Sequence, residues 1–394
     1  MAKCIDNFVQ SPPGILPWII GDAPAARDAL AKYSWKSPVV VVKIIDSLLR
    51  GIAQVVFAGN PVSGLFILVG LFVSDITCGL GAVVCSLTAI FASKLLNWPN
   101  ATIEAGLTNF SPVLVGTVTA SLYPVFFNQP LTAVVWGYMI LASVFSLCVS
   151  GGLGRILAVY HIPAYTLPFN VAASLTFVCL RASGYAADDH SSPSIPPPTA
   201  ASDVEDQSLD VQWSQVWMGT LLSAGQVWAV ESIAGSSLVL LGLWFCSPIL
   251  TVVCYMGAVV ATFTALMVSP APFSSVYAGV WGYNGFLAAG AIAFFMVPTP
   301  RNLLLAAINA VFATFIQGAM SPVFAATQLP VFTFPFCLAS VVFLATAMAV
   351  SPSSVRVTSP SFPELHLVLY SQKTRDTITM KNSGEYPAGT DISV

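Results

Sequence analysis

The chain has 394 residues, of which 56% are hydrophobic and 8% charged, with a mean hydropathy of +0.81 and a formal net charge of −3. A soluble domain carries about 25% charged residues, so this chain cannot cover a water-facing surface of its size and its simplest solvent is lipid. The slight negative charge also excludes a nucleic-acid partner, which needs clustered Lys and Arg.

Read in order, residues 1–37 form a polar N-terminal segment with Lys3, Arg27, Lys32 and Lys36, a short apolar run "GILPWII" and no apparent signal peptide. Residues 38–183 are the first membrane repeat, with apolar pieces near 38–58, 61–75, 77–95, 110–127, 132–157 and 164–182. Residues 184–213 are an acidic connector rich in Pro and Ser ("SSPSIPPPTAAS"), with too little apolar surface to offset ordering entropy. Residues 214–350 are the second repeat, with pieces near 214–231, 236–249, 250–269, 284–297, 302–320 and 332–350. Residues 351–394 are a tail carrying Arg356, Lys373, Arg375 and Lys381. A span needs about 20 residues, and several pieces are shorter or interrupted by Gly, Pro or Asn. The expected count is therefore five crossings per half, with one piece re-entrant or one helix broken in two. The excess of Lys and Arg at the ends places both termini in the cytosol and the connector outside.

The two apolar halves repeat one another. "IPAYTLPF" at 162–169 answers "LPVFTFPF" at 329–336. "GIAQVVF" at 51–57 aligns with "SAGQVWA" at 223–229, "AGLTNFSPVLVG" from 105 with "AGVWGYNGFLAAG" from 278, and "GAVVCSLTA" at 81–89 with "GAVVATFTA" at 257–265. Matched landmarks in one order at a nearly constant offset indicate an internal duplication. An odd number of crossings per copy inverts the second relative to the first, a habit of transporters and channels whose sites lie where the repeats meet. The predicted class is an all-α polytopic membrane protein of two inverted five-helix repeats, with broken or re-entrant helices around a central pore.

The repeated phrases carry the candidate site. Thr166 and Thr333 each precede x-Pro-Phe, so each reads as the capping residue of a helix whose Pro lies in the first turn. Non-helical backbone at membrane depth must be buried or line a wet cavity, so the same hydroxyls are candidates for a pathway wall. Gln54 and Gln226 are neutral amides in apolar helices, either hydrogen-bonding between helices or facing a pore mouth. Phe57 shares a helix face with Gln54. Asp46 and Arg50, four residues apart, are expected to pair, and Lys43 to snorkel. Glu231 and Asp75 read as interfacial. The cysteines, without any C-x-x-C pair, read as small core residues. No Walker loop, H-E-x-x-H, Arg-rich helix or chain of central carboxylates is present, so no ATP drive, metal site, voltage sensing or proton relay is expected. The remaining cargo is a small uncharged polar molecule moving down its gradient, with no cofactor and no catalytic residue.

"LLRGIAQVVFAGNPVSGLFILVGLFV" (48–73), "IPAYTLPFN" (162–170), "GVWGYNGFLA" (279–288) and "LPVFTFPFCLAS" (329–340) resemble the eukaryotic urea transporter family (solute carrier family 14). The resemblance covers most of 35–350. It implies a plasma-membrane homotrimer in which each protomer passively conducts urea, with close analogues as further candidates, through its own narrow neutral pore. It implies Thr166 and Thr333 at the mid-pore constriction, Gln54 and Gln226 at the outer ends of the filter, and Val55, Phe57 and Val227 on its faces. Pro168, Phe169, Pro335, Phe336, Tyr283 and Asn284 belong to the structural pore motif. The first copy departs from the G-Y-N-G phrase of 282–285, reading Thr108-Asn109-Phe110-Ser111-Pro112. Formal glycosylation sequons occur at Asn100 and Asn109, the latter expected inside the bundle. Two alternatives stay open from the residues: a broader channel for water, ammonia or urea analogues, and a non-conducting sensor or scaffold. An enzyme is the weakest reading, since no nucleophile–base pair is visible.

Overall fold

The computed structural model describes residues 14–184, 211–350 and 356–383; most of the acidic connector, with His190, and the first residues, with Lys3 and Cys4, lie outside them. Among the described residues the fold is helical, with a single isolated bridge between Met296 and Arg356.

Each apolar piece is a helix. The first half holds α1 (Pro24–Ala31), α2 (Val40–Gln54), α3 (Pro61–Ser74), α4 (Ile76–Leu95), α5 (Asn100–Glu104), α6 (Phe110–Phe127), α7 (Ala133–Ala158) and α8 (Leu167–Ala182). The second holds α9 (Trp213–Gln226), α10 (Ile233–Cys246), α11 (Pro248–Val268), α12 (Ser274–Tyr277), α13 (Tyr283–Phe295), α14 (Pro300–Ala326) and α15 (Phe334–Val350). A further helix, α16 (Pro363–Ser383), follows in the tail. Helices α4, α6, α7, α11 and α14 are long and apolar enough to cross a membrane, and α3, α8, α10, α13 and α15 are shorter apolar helices. The protein is thus a multi-span membrane protein. Its outer apolar side chains, such as Val73, Phe91, Leu141 and Val323, stay exposed, as a lipid-facing surface requires.

The boundaries follow from capping. Asn60 accepts from the Val62 and Ser63 amides at the start of α3, with Pro61 in the first turn, and Ser232 accepts from the Gly235 amide at the start of α10. Asp75 caps α4 through the Thr77 amide, and Ser247 caps α11 through the Leu250 amide, again with a Pro in the first turn. Each cap occupies an orphan N–H. Asn60 and Ser232, like Asp75 and Ser247, stand 172 residues apart. The chain also leaves helical geometry in matched places. Phe57 and Ala229 have φ of 65° and 58°, His161 and Gln328 have 55° and 52°, and Tyr165 and Phe332 have 48° and 51°. A left-handed conformation in a bulky residue must be held by its surroundings.

The halves meet most extensively where α3 crosses α10. A Cβ on Gly70 would sit 3.1 Å from the Gly235 carbonyl oxygen, and one on Gly242 would sit 2.8 Å from that of Ser63. Because 63 pairs with 242 and 70 with 235, the two helices run antiparallel. Small residues let backbones approach where lipid offers no hydrophobic drive.

The ion pair of Asp46 with Arg50 forms at 2.8 Å. Lys43 departs from expectation. It does not reach for solvent but is buried, with Nζ 2.8 Å from Glu104 Oε1, an oxygen that also accepts from Trp35 Nε1 at 2.7 Å. The carboxylate, 61 residues away, supplies a local partner that snorkelling would otherwise have to find in water.

Candidate functional site

A cavity of about 790 Å³ opens beside the N-terminal segment and reaches Thr166. Its wall combines Gln54, Val55 and Phe57 from the end of α2, Tyr165 and Thr166 from the break before α8, and Phe294, Phe295 and Phe336 from the second half. Charged residues lie on the same wall: Asp22, Arg27, Asp28, Arg50 and Glu104.

The aromatic part is built across the halves. The Phe57 ring lies 5.5 Å from Phe294 and 6.2 Å from Phe336, and Tyr165 lies 5.1 Å from Phe336. On the far side of the break Phe169 meets Phe332 edge-on at 5.5 Å. Chain continuity explains Phe57: α2 ends at Gln54, and the left-handed Phe57 turns the chain so that its ring reaches the second half. Gln54 Oε1 is buried with no hydrogen-bond partner among the described residues, although the residue lines the cavity. Its counterpart Gln226 donates Nε2 to the Ala278 carbonyl at 2.8 Å. Gln226 and Val227 do not line this cavity, and Val227 is buried.

Beyond this wall Thr166 meets Thr333, with 2.6 Å between their hydroxyl oxygens. Thr166 stands at the N-cap position of α8 but its side chain makes no capping bond. The capping reading of that hydroxyl is therefore replaced by a contact between the two halves. Pro168 lies in the first turn, where its missing N–H is harmless, and Pro335 follows Phe334 at the start of α15.

Tyr283 and Asn284 hold the backbone just before Thr333. The Tyr283 hydroxyl donates to the Phe332 carbonyl, and Asn284 Nδ2 donates to the same oxygen at 3.3 Å and to Gln317 Oε1 at 2.9 Å. Asn284 Oδ1 accepts from the Phe336 amide at 3.3 Å. Gln317 in turn donates to the Val280 carbonyl. The strained bend at Phe332 is thus tied from two sides. The first copy has Phe110 and Ser111 at those places, and Ser111 Oγ is buried without a partner among the described residues. The preceding Asn109 is fully buried and ties this stretch to α2 instead, with Nδ2 donating to the Ser47 carbonyl and hydroxyl at 3.0 Å. Burial removes Asn109 as a glycosylation acceptor, as expected.

Sequence reasoning did not single out Asn170 or Cys337. Both lie one helical turn after the threonines and both contact them. The only hint is that the two phrases, alike through Thr-x-Pro-Phe, diverge at this next residue. The role of the terminal segments was also missed. Arg50 Nη1 donates to the carbonyls of Asp22 and Gly59, Asn60 Nδ2 to those of Ile19 and Gly21, and Ser361 Oγ to the Asp22 carboxylate. Burial pushes the Asp22 carboxyl above its ordinary range, opposed by the Ser361 hydroxyl and the Arg50 and Arg27 cations. Burial likewise raises Glu364, whose oxygens accept from Ser247 Oγ and the Ile249 amide. His366 is pushed down to about 4 by burial, and its Nε2 accepts from the Ser361 amide.

Among the described residues no group of three His, Cys, Asp or Glu could hold a metal ion. The arrangement can offer hydroxyl, amide and carbonyl groups beside aromatic faces.

The family model for urea transporters matches residues 45–348. The chain belongs to the urea transporter family. Within that family it is similar to urea transporter 1 of sheep and of goat, each 31% identical over 371 residues, covering 93% of this chain and 92% of the relative. It is 32% identical to urea transporter 1 of mouse over 343 residues, covering 84% of this chain and 83% of the relative. Running from within α2 into α15, the match includes Phe57, Thr166, Thr333 and Phe336.

Proposed function

We propose that the protein is a channel-like passive transporter of urea in the plasma membrane, with close analogues as secondary cargo. The observation that carries the reading is the meeting of Thr166, which lines a cavity with Phe57, Tyr165 and Phe336, with Thr333 from the corresponding phrase. Urea is planar and neutral, with one acceptor oxygen and four N–H donors. It slides between the aromatic faces and exchanges water for Gln54, the threonine oxygens and finally Gln226, while Val55 and Val227 pack its faces. Each lost hydration bond is replaced, and each site binds weakly enough to release. Ions find no such replacement and are excluded.

The proposal includes an inverted five-helix architecture. The antiparallel α3–α10 crossing supports it, since the contact of Gly70 with Gly235 becomes that of Gly242 with Ser63 when each residue is exchanged for its counterpart 172 positions away. A two-fold axis that exchanges antiparallel helices is perpendicular to them and so lies in the membrane plane. The proposal further takes 1–37 and 351–394 as cytosolic, 38–183 and 214–350 as the repeats, 184–213 as the external connector, and a homotrimer as the assembly.

The test is stopped-flow urea influx into proteoliposomes for the wild type, Thr166→Val and Thr333→Val. Each valine keeps the shape and removes a hydroxyl, leaving urea one hydrogen bond short at the narrowest point, which costs about 1–3 kcal/mol or roughly five- to 150-fold in flux. No urea flux through inserted wild-type protein would sink the reading.

A further inference from the structure

Four side chains close a ring at the constriction. Asn170 Oδ1 accepts from the Thr333 amide at 3.1 Å and from Thr333 Oγ1 at 2.8 Å. Thr333 Oγ1 and Thr166 Oγ1 lie 2.6 Å apart, Thr166 Oγ1 and Cys337 Sγ 3.2 Å apart, and Asn170 Nδ2 donates to Cys337 Sγ at 3.6 Å. All four residues are buried.

The protons in this ring have one consistent order. The Thr333 backbone N–H can only donate, so the Asn170 atom facing it is the oxygen, and the amide orientation is fixed. That oxygen can only accept, so the Thr333 hydroxyl spends its single proton on it. Thr333 Oγ1 then faces Thr166 with a lone pair, and Thr166 must donate. Having spent its own proton, Thr166 faces Cys337 with a lone pair and accepts the thiol S–H. Cys337 sulfur finally accepts from the Asn170 amide nitrogen.

The ring needs different residues at the two corresponding positions. Were Cys337 a second asparagine, its oxygen would by the same logic draw the Thr166 proton away, and two lone pairs would face each other across the constriction. We propose that Asn170 is a positioning residue that sets the proton order of the ring, making Thr166 the donor and Thr333 the acceptor offered to a solute that parts them. The inference rests on the proposed passage of urea between the threonines. A solute carbonyl turns to Thr166 and a solute N–H to Thr333, so urea crosses this point in one preferred orientation.

Thiourea tests this, because it has urea's shape and N–H groups but a sulfur that accepts hydrogen bonds more weakly. Influx of urea and of thiourea is measured in proteoliposomes for the wild type and Asn170→Ala. Losing Asn170 frees the Thr333 proton to donate as well, so the urea-to-thiourea flux ratio rises about threefold or more, the worth of one further hydrogen bond to the better acceptor. Urea and thiourea fluxes falling in proportion would overturn the inference and leave Asn170 as a packing residue. Absence of urea flux in the wild type would instead sink the proposed function. A second measurement covers the case in which Asn170→Ala does not fold. The infrared S–H stretching band of Cys337, isolated as the difference between the wild type and Cys337→Ala, is expected at the lowered frequency of a donating thiol. A band at the free-thiol position would refute the proton order.

Discussion

Replacing Arg50 by Met asks how strongly the cavity mouth is tied. Arg50 is buried, with 3% of its side chain exposed, and its partner Asp46 shows 12%. The guanidinium reaches Asp46 Oδ2 at 2.8 Å and the Asp22 carbonyl at 2.7 Å, and also bonds the Gly59 carbonyl two residues past Phe57. Met fills most of the volume but leaves the Asp46 carboxylate nearly buried and unpaired, and removes a charged donor from two carbonyls. Removing one partner of a buried pair costs about 3–5 kcal/mol. Unfolding driven by dodecyl sulfate in mixed micelles, followed by tryptophan fluorescence, reads that loss. The double variant Asp46→Leu/Arg50→Met removes the stranded charge and is expected to recover all but about 1–2 kcal/mol, the share of the two carbonyls. A loss below about 1 kcal/mol in Arg50→Met would mean that water screens the pair as at an open surface. A double variant as unstable as the single would show that the stranded carboxylate is not the source of the cost.

Phe57→Ala removes the ring that meets Phe294 and Phe336; urea flux should persist while its advantage over N,N-dimethylurea falls roughly tenfold, and an unchanged ratio would remove Phe57 from the slot. His366, pushed down to about 4 by burial, predicts acid sensitivity of the tail contact. Below its ordinary value near 6.5 the undocked tail takes a proton that the docked tail refuses, so docking weakens as the pH falls from about 6.5 towards 4 and is full above that window. Asp22 and Glu364, both raised, oppose this trend, so the check is local: hydrogen exchange at the Ser361 amide, corrected for its intrinsic rate, accelerates in that window and does not in His366→Gln. Asn100 accepts from Lys94 Nζ at 2.6 Å, and Lys94 lies over the Trp35 ring on the side of the N-terminal segment. A cytosolic N-terminus therefore predicts that Asn100 carries no glycan, and a glycosidase-sensitive band lost in Asn100→Gln would reverse the proposed orientation.

The helices were legible because lipid makes apolar runs long and Gly, Pro and Asn mark their breaks. Repetition made the threonines legible, since a phrase written twice shows which residues answer each other. What the sequence did not disclose depends on partners far apart in the chain. Lys43 is buried because Glu104 sits on α5, a helix too short to show a period. Thr166 does not cap its helix because Thr333, 167 residues on, competes for its hydroxyl. Asn170 and Cys337 escaped notice because attention to likeness passes over the place where two copies differ. The tail helix α16 was missed because its apolar content is low and its contacts, Glu364 with the Ile249 amide and His366 with the Phe294 ring, are tertiary.

The stitching of Asp22 to Ser361, with Gly21 against the Phe362 ring, brings the two ends of the membrane domain to one spot. Cutting within 185–210 would break no contact among the described residues, and a linker from the tail back to the N-terminal segment would close the chain at this spot with both segments kept. Along the chain the domain is then a near-closed circle, opened at one of two available places. Which half is translated first is an accident of the gene, and a circular permutant that begins at the second half should assemble the same pathway.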